Sequence, residues 1–421
     1  MEYINYDNPS YKIHFIKTDK FKTIKIKINF KEKVEKEKIV YRNMLSIILF
    51  EGTKSYNTRR LIDIECENLY NIGVGGGTNI SGNYQILSFD TTFLNEKYTE
   101  ENMNEKSFKF FLDFIFNPNV NDNKFDHQAF INAKNILKED IESYLENPTR
   151  YAYMGLYNNM CPNTPVALST TGYIEDLESM TEETLYSYYK EVLRNNIIDI
   201  FVIGDINVSN FKQIIEDNFN INTIKNNNLE HFISYDKFLS KPNIIKEKRS
   251  INQGILLLGS KLKNITDFER LYVLSVYNYI LGGGPDSKLF KEVREKNSLC
   301  YYISSTHSGV ANLELIKAGI DSKNYDKTLK LIKKQIKDVS NGIFDDEEIN
   351  KAKINMHAAL FEVEDSQSGL INLYEAHEYL NYDLLEERKN NIDKVTREDV
   401  INLSKKIKLD TIYLLEGGNR K

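Results

Sequence analysis

The fold of this chain is decided by the stretch Asn43-Met44-Leu45-Ser46-Ile47-Ile48-Leu49-Phe50-Glu51-Gly52-Thr53. Its apolar residues are typical of a helix, which we predict over Ile39–Phe50 and which stops at Gly52. Shortly before it, apolar and polar residues alternate strictly in Ile24-Lys25-Ile26-Lys27-Ile28-Asn29-Phe30. Such alternation predicts a half-buried strand. This part of the chain therefore predicts a strand that leads into a helix.

The elements after this helix indicate an internal duplication. The first half continues with helices over Thr58–Tyr70, Glu105–Phe116, Lys124–Leu145 and Glu182–Leu193, and with strands within Ile72–Phe93 and over Ile197–Ile203. The second half repeats this order with strands over Gln253–Gly259, Leu299–Ser305 and Leu313–Ile320 and helices over Asp267–Leu281, Asn324–Val339 and Asp346–Tyr379. The repeat predicts an α+β protein of two tandem homologous domains, each a mixed or antiparallel sheet packed with helices.

The domain boundaries follow from the same pattern. A stretch rich in Asn and Lys separates the halves and has no clear periodicity, which is typical of a linker. We therefore assign residues 1–221 to an N-terminal domain, 222–250 to the linker and 251–421 to a C-terminal domain. The length of 421 residues agrees with two domains, because single cores stop growing at about 250–300 residues.

Composition excludes several classes of protein. Hydrophobic residues make up 41% of the chain and charged residues 28%, as in a globular protein. The net charge of −6 gives no basic surface for nucleic acid. The first ten residues lack the apolar core of a secretory signal, and no apolar run approaches the roughly 20 residues that cross a membrane.

The cysteines point to a reducing compartment. Cys66, Cys161 and Cys300 lie far apart, are odd in number and show no CxxC spacing. This usage favours neither a disulfide scaffold nor a thiolate metal site. We therefore expect a cytoplasmic protein without a membrane or nucleic-acid partner.

The opening helix resembles the zinc-binding helix of the pitrilysin family, which includes insulinase and the mitochondrial processing peptidase. In that family the helix follows a first strand and reads His-x-x-Glu-His-x-x-Phe-x-Gly-Thr. The tail Phe50-x-Gly52-Thr53 fits this motif. However, Asn43 stands at the position of the first His, Ser46 at that of the Glu and Ile47 at that of the second His.

These replacements remove the chemistry of the motif. Two imidazoles one turn apart hold Zn²⁺, and the Glu takes a proton from the metal-bound water. Ile47 has no donor atom, and Ser46 is no general base near neutral pH. The third ligand of the family would align with Asp140, or with Glu139 if loop lengths differ, but a lone carboxylate cannot hold zinc. We therefore expect no metal in this chain and interpret Asp140 as a polar residue on a helix face.

The histidines offer no replacement site. No two of them have the i, i+4 spacing of a helical zinc motif, and they are scattered over the chain at His14, His127, His231, His307, His357 and His377.

The second half resembles the family most strongly in Leu281-Gly282-Gly283-Gly284-Pro285-Asp286-Ser287-Lys288-Leu289-Phe290-Lys291-Glu292-Val293-Arg294-Glu295-Lys296-Asn297-Ser298-Leu299-Cys300-Tyr301-Tyr302. The corresponding family block contains an Arg and a Tyr that assist substrate binding and transition-state stabilisation. Arg294 and Tyr301 occupy those places, so the resemblance implies that they act catalytically together with a partner.

The same residues also have a structural interpretation. Arg294 could form a surface ion pair with Glu292 or Glu295, and Tyr301 could be a core residue of a strand. The three glycines of the block are not followed by Gly-Lys-Ser/Thr, so they favour a helix end and a turn over a phosphate loop.

The resemblance implies a non-catalytic subunit of a heterodimeric zinc metallopeptidase. In bacterial pairs of this family one subunit carries the zinc motif and the other lacks it, and the pair encloses a chamber for unfolded peptides. This chain is similar to the motif-lacking member of a Gram-positive pair that the family context associates with elongation factor P modification. A zinc-motif-bearing paralogous subunit and an unfolded peptide are thus the expected partners, with zinc in the partner.

Three alternatives remain open from the sequence. The chain could be a purely structural scaffold, an independent peptidase with a rebuilt metal site, or a partner in processing a ribosomally made peptide.

Overall fold

The computed structural model describes residues 1–223 and 230–417. Up to residue 223 the helices are α1 (Lys36–Ile48), α2 (Arg59–Asn68), α3 (Met103–Phe116), α4 (His127–Glu146), α5 (Pro148–Met160), α6 (Ile174–Ser179), α7 (Glu182–Asn195) and α8 (Val208–Asn218). The strands in this part are β1 (Glu2–Asp7), β2 (Lys12–Lys17), β3 (Thr23–Lys33), β4 (Gly73–Ser81), β5 (Tyr84–Leu94), β6 (Val120–Asn121), β7 (Lys124–Phe125) and β8 (Ile197–Gly204).

From residue 230 onward the strands are β9 (Asn243–Arg249), β10 (Gly254–Leu262), β11 (Cys300–Ser308), β12 (Leu313–Ile320) and β13 (Ile407–Gly417). The α-helices are α9 (Leu274–Asn278), α10 (Tyr325–Ser340), α11 (Asp346–Glu364), α12 (Gln367–Leu380), α13 (Leu385–Lys394) and α14 (Arg397–Lys406). Wider π-helical turns flank α9 on both sides, over Glu269–Val273 and Tyr279–Gly283, and a third covers Phe290–Glu295. Among the described residues, no helix is both long and apolar enough to cross a membrane.

The first compact unit is built on a six-stranded mixed sheet. Its strand order is β1-β2-β8-β3-β5-β4, and only β2 and β8 pair in parallel. The alternation that predicted β3 is confirmed, because Ile24, Ile26 and Ile28 are fully buried whereas Lys25 and Lys27 are partly exposed. Residues of α1 and α3 join these isoleucines in one hydrophobic core.

The second unit repeats the sheet of the first. Its five strands follow the order β9-β13-β10-β12-β11, with β9 and β13 parallel and the other neighbours antiparallel. Strand by strand this is the arrangement β2-β8-β3-β5-β4 of the first unit. The two units are therefore the duplicated α+β domains that the sequence predicted, and β4 and β11 are equivalent edge strands.

The closing segments show the repeat in side-chain detail. Thr181 before α7 and Thr396 before α14 each form a capping box with the third residue of the following helix. The strand after each helix carries a buried aspartate, and each aspartate binds a buried lysine: Lys31 Nζ lies 2.7 Å from Asp199, and Lys261 Nζ lies 3.0 Å from Asp410. A lysine–aspartate pair inside each sheet satisfies both charges locally.

The units do not follow the predicted boundaries. The first unit comprises Met1–Ser143, Leu168–Glu230 and Glu364–Glu375, and the second comprises Tyr144–Ala167, His231–Val363 and Ala376–Lys421. The predicted linker 222–250 contains β9, which pairs with β13, so this part of the prediction is wrong. Residues 224–229 of that linker lie outside the described residues.

Two exchanged segments explain the difference. Helix α5 joins the second unit, since a Cβ on Gly155 would lie 2.4 Å from the ring of Tyr413. The start of α12 joins the first unit through Glu375, whose carboxylate accepts from Lys27 at 2.7 Å and from Asn29 at 2.6 Å. Contacts this distant in sequence leave no periodic signal.

Candidate functional site

Asn43 lies on α1 and is held by the chain around it. Its Nδ2 donates to the backbone oxygens of Ile39 and Thr170, at 2.9 Å each, and its Oδ1 accepts from the hydroxyl of Thr78 at 2.7 Å. Gly172, at φ +90°, brings the Thr170 loop against Val40 of α1, where a Cβ would lie 2.9 Å from the Val40 Cβ. The amide therefore connects α1, β4 and this loop, and serves the fold.

Ser46 and Ile47 are also used internally. The Ser46 hydroxyl donates to the backbone oxygen of Asn43 at 2.8 Å. Ile47 is partly buried and packs on the core of the first unit. A Cβ on Gly76 of β4 would lie 3.0 Å from the Ser46 backbone oxygen and 2.7 Å from the Phe50 ring, so only glycine allows β4 to approach the end of α1 this closely.

The aligned carboxylates do not complete a metal site. Asp140 and Glu139 are exposed on α4, whereas Leu137 and Ile141 of the same helix are buried. Across residues 1–223 and 230–417, no group of three or more His, Cys, Asp or Glu side chains could hold a metal ion. Because the Asn43 amide is engaged and Ile47 has no donor atom, these positions do not fit zinc.

Arg294 belongs to the π-helical turn Phe290–Glu295 and is exposed. Its guanidinium lies 4.6 Å from the centre of the Phe290 ring, a cation–π contact that orients the side chain. Within the described part of the chain it forms no ion pair, and Glu292 instead binds Lys296 at 2.5 Å. The surface ion pair considered from the sequence is thus not formed.

Tyr301 lies near the start of the edge strand β11. Cys300 pairs with Ile320 and Tyr302 pairs with Gly319, so Tyr301 is the extra residue of a β-bulge. A bulge redirects a side chain, and Tyr301 is 68% exposed. It is therefore not a core residue of the strand, and its hydroxyl has no hydrogen-bond partner among the described residues.

Arg294 is also close to this strand. Burial raises the pKa of the Cys300 thiol to about 11, and the Arg294 charge opposes that shift. The Arg294 backbone oxygen accepts from the Ser298 N–H at 3.0 Å, so Arg294 lies beside the turn that leads into β11. The Arg294 guanidinium and the Tyr301 phenol therefore both offer unused hydrogen-bond donors beside the start of β11.

The edge strand β4 was not assigned a role from the sequence. It contains Gly73, Gly75, Gly76 and Gly77. Only Gly76 is required by a close contact, since a Cβ on Gly77 would meet nothing within 4 Å and Cβ atoms on Gly73 and Gly75 would meet only ordinary contacts. Four glycines in five residues were the signal in the sequence that could have indicated a role for β4. Glycine weakens a strand, and it often marks a site where a ligand or another backbone approaches closely.

Comparison with known proteins agrees with this geometry. Residues 179–356 match the family model described as the peptidase M16 inactive domain, a range that contains Arg294 and Tyr301. The chain is 29% identical over 413 residues to "Probable inactive metalloprotease YmfF" of Bacillus subtilis, covering 96% of this chain and 95% of that protein. The chain is therefore an M16-like peptidase homologue of the inactive type.

Other relatives and solved structures extend the likeness. The chain is 24% identical over 296 residues to "Uncharacterized zinc protease YmxG" of Bacillus subtilis, covering 67% of this chain and 69% of that protein. A conserved protein from Enterococcus faecalis has the same fold, with a TM-score of 0.93, 24% identity and coverage of 100% and 99%. So does a peptidase M16 inactive domain from Pseudomonas fluorescens, with a TM-score of 0.80, 17% identity and full coverage of both chains.

Proposed function

We propose that this M16 homologue is the non-catalytic subunit of a heterodimeric zinc metallopeptidase. A zinc-motif-bearing paralogous subunit supplies the metal, its ligands and the general base, and this chain supplies half of a peptide-binding chamber together with Arg294 and Tyr301. The observation that carries the proposal is a contrast between two sets of side chains. The motif positions of α1 are bonded into the fold, whereas Arg294 and Tyr301 are exposed and keep unused donors.

The chemistry of the two free donors suits peptide hydrolysis. Attack of water on a peptide carbonyl places negative charge on its oxygen. A guanidinium is always charged, and a phenol donates a hydrogen bond, so both stabilise such an oxyanion when they are fixed before the reaction. The contact with the Phe290 ring holds the Arg294 guanidinium, and the bulge turns Tyr301 outward.

The edge strand β4 supports binding of an unfolded peptide. An extended peptide can add to an exposed sheet edge through backbone hydrogen bonds. A Cβ on Gly77 would meet nothing within 4 Å, so the sheet face beside this edge is open to the side chains of such a peptide. This mode is insensitive to side-chain identity, which agrees with an unfolded substrate.

The relatives support a paired arrangement. Bacillus subtilis encodes both the protein named an inactive metalloprotease and proteins named zinc proteases, and all of them are similar to this chain. We place the complex in the cytoplasm, with neither nucleic acid nor a membrane as partner.

The proposal is tested by reconstitution. The full-length chain is mixed with the zinc-motif-bearing paralogue from the same cell, and cleavage of an unfolded fluorogenic peptide is measured for each protein alone and for the mixture. We expect activity only in the mixture, and zinc only in the paralogue by metal analysis. Full activity of the paralogue alone, with complex formation unchanged, would support the scaffold alternative. Tightly bound zinc in this chain would support the independent peptidase.

A further inference from the structure

The second unit contains a cavity that the proposed function does not use. Its volume is about 410 Å³, within the range of small-molecule sites. It lies between the π-helical turn Glu269–Val273, the end of β11, α11 and α13. Two arginines, Arg270 and Arg388, contribute to its wall, and none of its described lining residues is acidic.

Both guanidinium groups keep unused donors. Arg388 makes one described hydrogen bond, from Nε to the backbone oxygen of Asp383 at 2.6 Å, and its Nη1 has no described partner. Arg270 uses only Nη1, toward the oxygens of Gly309 and Asn312, and its Nη2 has no described partner. A guanidinium has five N–H donors, so most of the hydrogen-bonding capacity of both residues is unfilled.

Burial makes these unfilled donors costly. It lowers the pKa of both arginines from the usual value, since charge is disfavoured away from water. Among the described residues Asp267 is the acidic group in an ion pair with Arg270, at 3.8 Å, and its side chain is 91% exposed. Arg388 forms no ion pair with a described residue. The Asp383 carboxylate acts on this arginine electrostatically and is itself hydrogen-bonded to Tyr272 and Asn391. The chain therefore neutralises the positive charge of the cavity wall only in part.

A tyrosine hydroxyl lies beside the same charges. A Cβ on Gly309 would lie 3.2 Å from the Tyr382 Oη and 2.9 Å from Cγ of Arg270, so glycine at this position lets the two side chains meet. The Arg388 guanidinium lies 5.8 Å from the centre of the Tyr382 ring. Within the described residues the Tyr382 hydroxyl has no hydrogen-bond partner, which adds a third free donor.

The rest of the wall is neutral. His307 accepts or donates a hydrogen bond with Ser275 at 3.2 Å, and burial lowers its pKa, so this imidazole is neutral at pH 7. Tyr272, whose hydroxyl donates to the Asp383 carboxylate, is also part of the wall. The remaining large side chains are apolar: Leu271, Val310, Met356, Leu360 and Ile392. The cavity thus combines two cationic forks and a phenol with an apolar surface.

We propose that this cavity binds a carboxylate that is attached to an apolar body. Planar forks match the two oxygens of a carboxylate, and the phenol completes the set of donors. The apolar wall takes the remainder of the ligand, whether this is a free organic acid or the C-terminal residue of a peptide.

The test is calorimetric titration of the full-length chain with 3-phenylpropionate. We expect the acid to bind. The uncharged 3-phenylpropionamide should bind at least about tenfold more weakly, because an amide cannot form the charge-assisted hydrogen bonds of a carboxylate. Met356→Trp, which places a bulkier side chain in the cavity and leaves both arginines in the chain, should weaken binding at least about tenfold. Tyr382→Phe and Arg388→Gln should weaken it about threefold and tenfold, while Arg397→Gln on α14 should leave it unchanged.

Several results would overturn the proposal. These are equal affinity for acid and amide, no binding at about 10 mM acid, unchanged binding by Met356→Trp, or inorganic phosphate binding as tightly as the acid. If Arg388→Gln does not fold, Met356→Trp and Tyr382→Phe decide. The affinities of N-acetyl-Ala-Phe and of its C-terminal amide are also measured, to distinguish a peptide C-terminus from a free organic acid as the ligand. Preference for the acid peptide over 3-phenylpropionate assigns the site to peptide termini, and the reverse assigns it to small acids.

Discussion

On α1 of the first unit, the side chains at the altered motif positions bond to their own chain, whereas at the start of β11 in the second unit Arg294 and Tyr301 do not. The Asn43 amide reaches a loop and a strand, and Ile47 packs on the core. Tyr301 is turned outward by a bulge. The two regions belong to duplicated domains. The same architecture therefore holds side chains that are bonded within the fold in one domain and side chains that keep unused donors in the other.

The contrast separates stability from function. A polar group that is already bonded inside the fold contributes to folding, and its loss leaves partners unsatisfied. An exposed side chain with unused donors contributes little to folding, so its retention needs another explanation. Substitutions in the two regions should therefore affect different measurements.

Tyr301→Phe should strongly lower activity. Loss of one preorganised oxyanion donor typically lowers turnover about 10²–10³-fold, and the exposed hydroxyl has no partner whose loss would destabilise the chain. The measurement is peptide cleavage by the reconstituted complex, with complex formation checked by size. Tyr98→Phe, at a tyrosine that is 55% exposed in the first unit, is the matched control. Equal activity of both variants would contradict the role of the phenol.

Buried carboxylates extend the comparison to pH. Burial would raise the pKa of Asp199 in the first unit, but Lys31 and His14 outweigh this effect and hold the pKa well below its usual range. In the second unit, burial raises the pKa of Glu314 to about 7 against an opposing hydrogen bond from Ser260. One carboxylate is therefore stably ionised, and the other changes charge near neutral pH.

Glu314→Gln should remove a pH dependence of stability. Between the unfolded pKa of 4.5 and about 7 the folded state holds the extra proton, so the free energy of unfolding falls as pH rises through this window. The variant should therefore be more stable relative to wild type at pH 8 than at pH 4.5, by up to about 3 kcal/mol. Urea unfolding at both pH values measures this. If the difference in free energy of unfolding between wild type and variant is the same at both pH values, the predicted pH dependence is wrong.

Gly77→Val is expected to have two smaller effects, one on stability and one on peptide binding. The added side chain meets nothing in the chain and removes the entropic cost of glycine in a strand, so stability should rise by about 0.5–1 kcal/mol. The same side chain would hinder a peptide on the β4 edge and raise KM of the reconstituted complex. Gly155→Val is the contrasting control, since it would clash with Tyr413 and destabilise the second unit. An unchanged KM would argue against peptide addition at β4.

Restoring the motif should have the smallest effect on catalysis. The triple variant Asn43→His, Ser46→Glu and Ile47→His breaks the bonds to Thr170 and Thr78, and its third ligand would be Asp140, one methylene shorter than the Glu of the family. We expect no robust peptide cleavage by this chain alone. Strong zinc-dependent cleavage would show that only the motif had been lost.

The fold was predictable where local pattern determines it. The alternation of β3 and the matching ends of the two halves were sufficient to predict a duplicated α+β protein, and the capping boxes at Thr181 and Thr396 confirm their equivalence. A single helix over Asp346–Tyr379 was wrong, because Ser366 accepts from the Gly369 N–H and starts α12 as a separate helix.

The sequence named candidate site residues but not their environment. The motifs pointed to Asn43, Ser46, Ile47, Arg294 and Tyr301, whereas two hydrogen bonds of Asn43 reach residues more than 30 positions away. The bulge at Tyr301 depends on pairing register, which the sequence of β11 alone does not specify. The cavity with Arg270 and Arg388 is assembled from four distant segments and left no motif.

The most direct test compares Asn43→Ala with Arg294→Ala on two measurements, the free energy of unfolding of the chain and the turnover of the reconstituted complex. Asn43→Ala should lose about 1–2 kcal/mol of stability, because partners of its amide become unsatisfied, and keep turnover within about threefold. Arg294→Ala should keep stability within about 0.5 kcal/mol and lower turnover about 10²–10³-fold. Loss of stability in Arg294→Ala with full turnover would contradict the account and favour a scaffold.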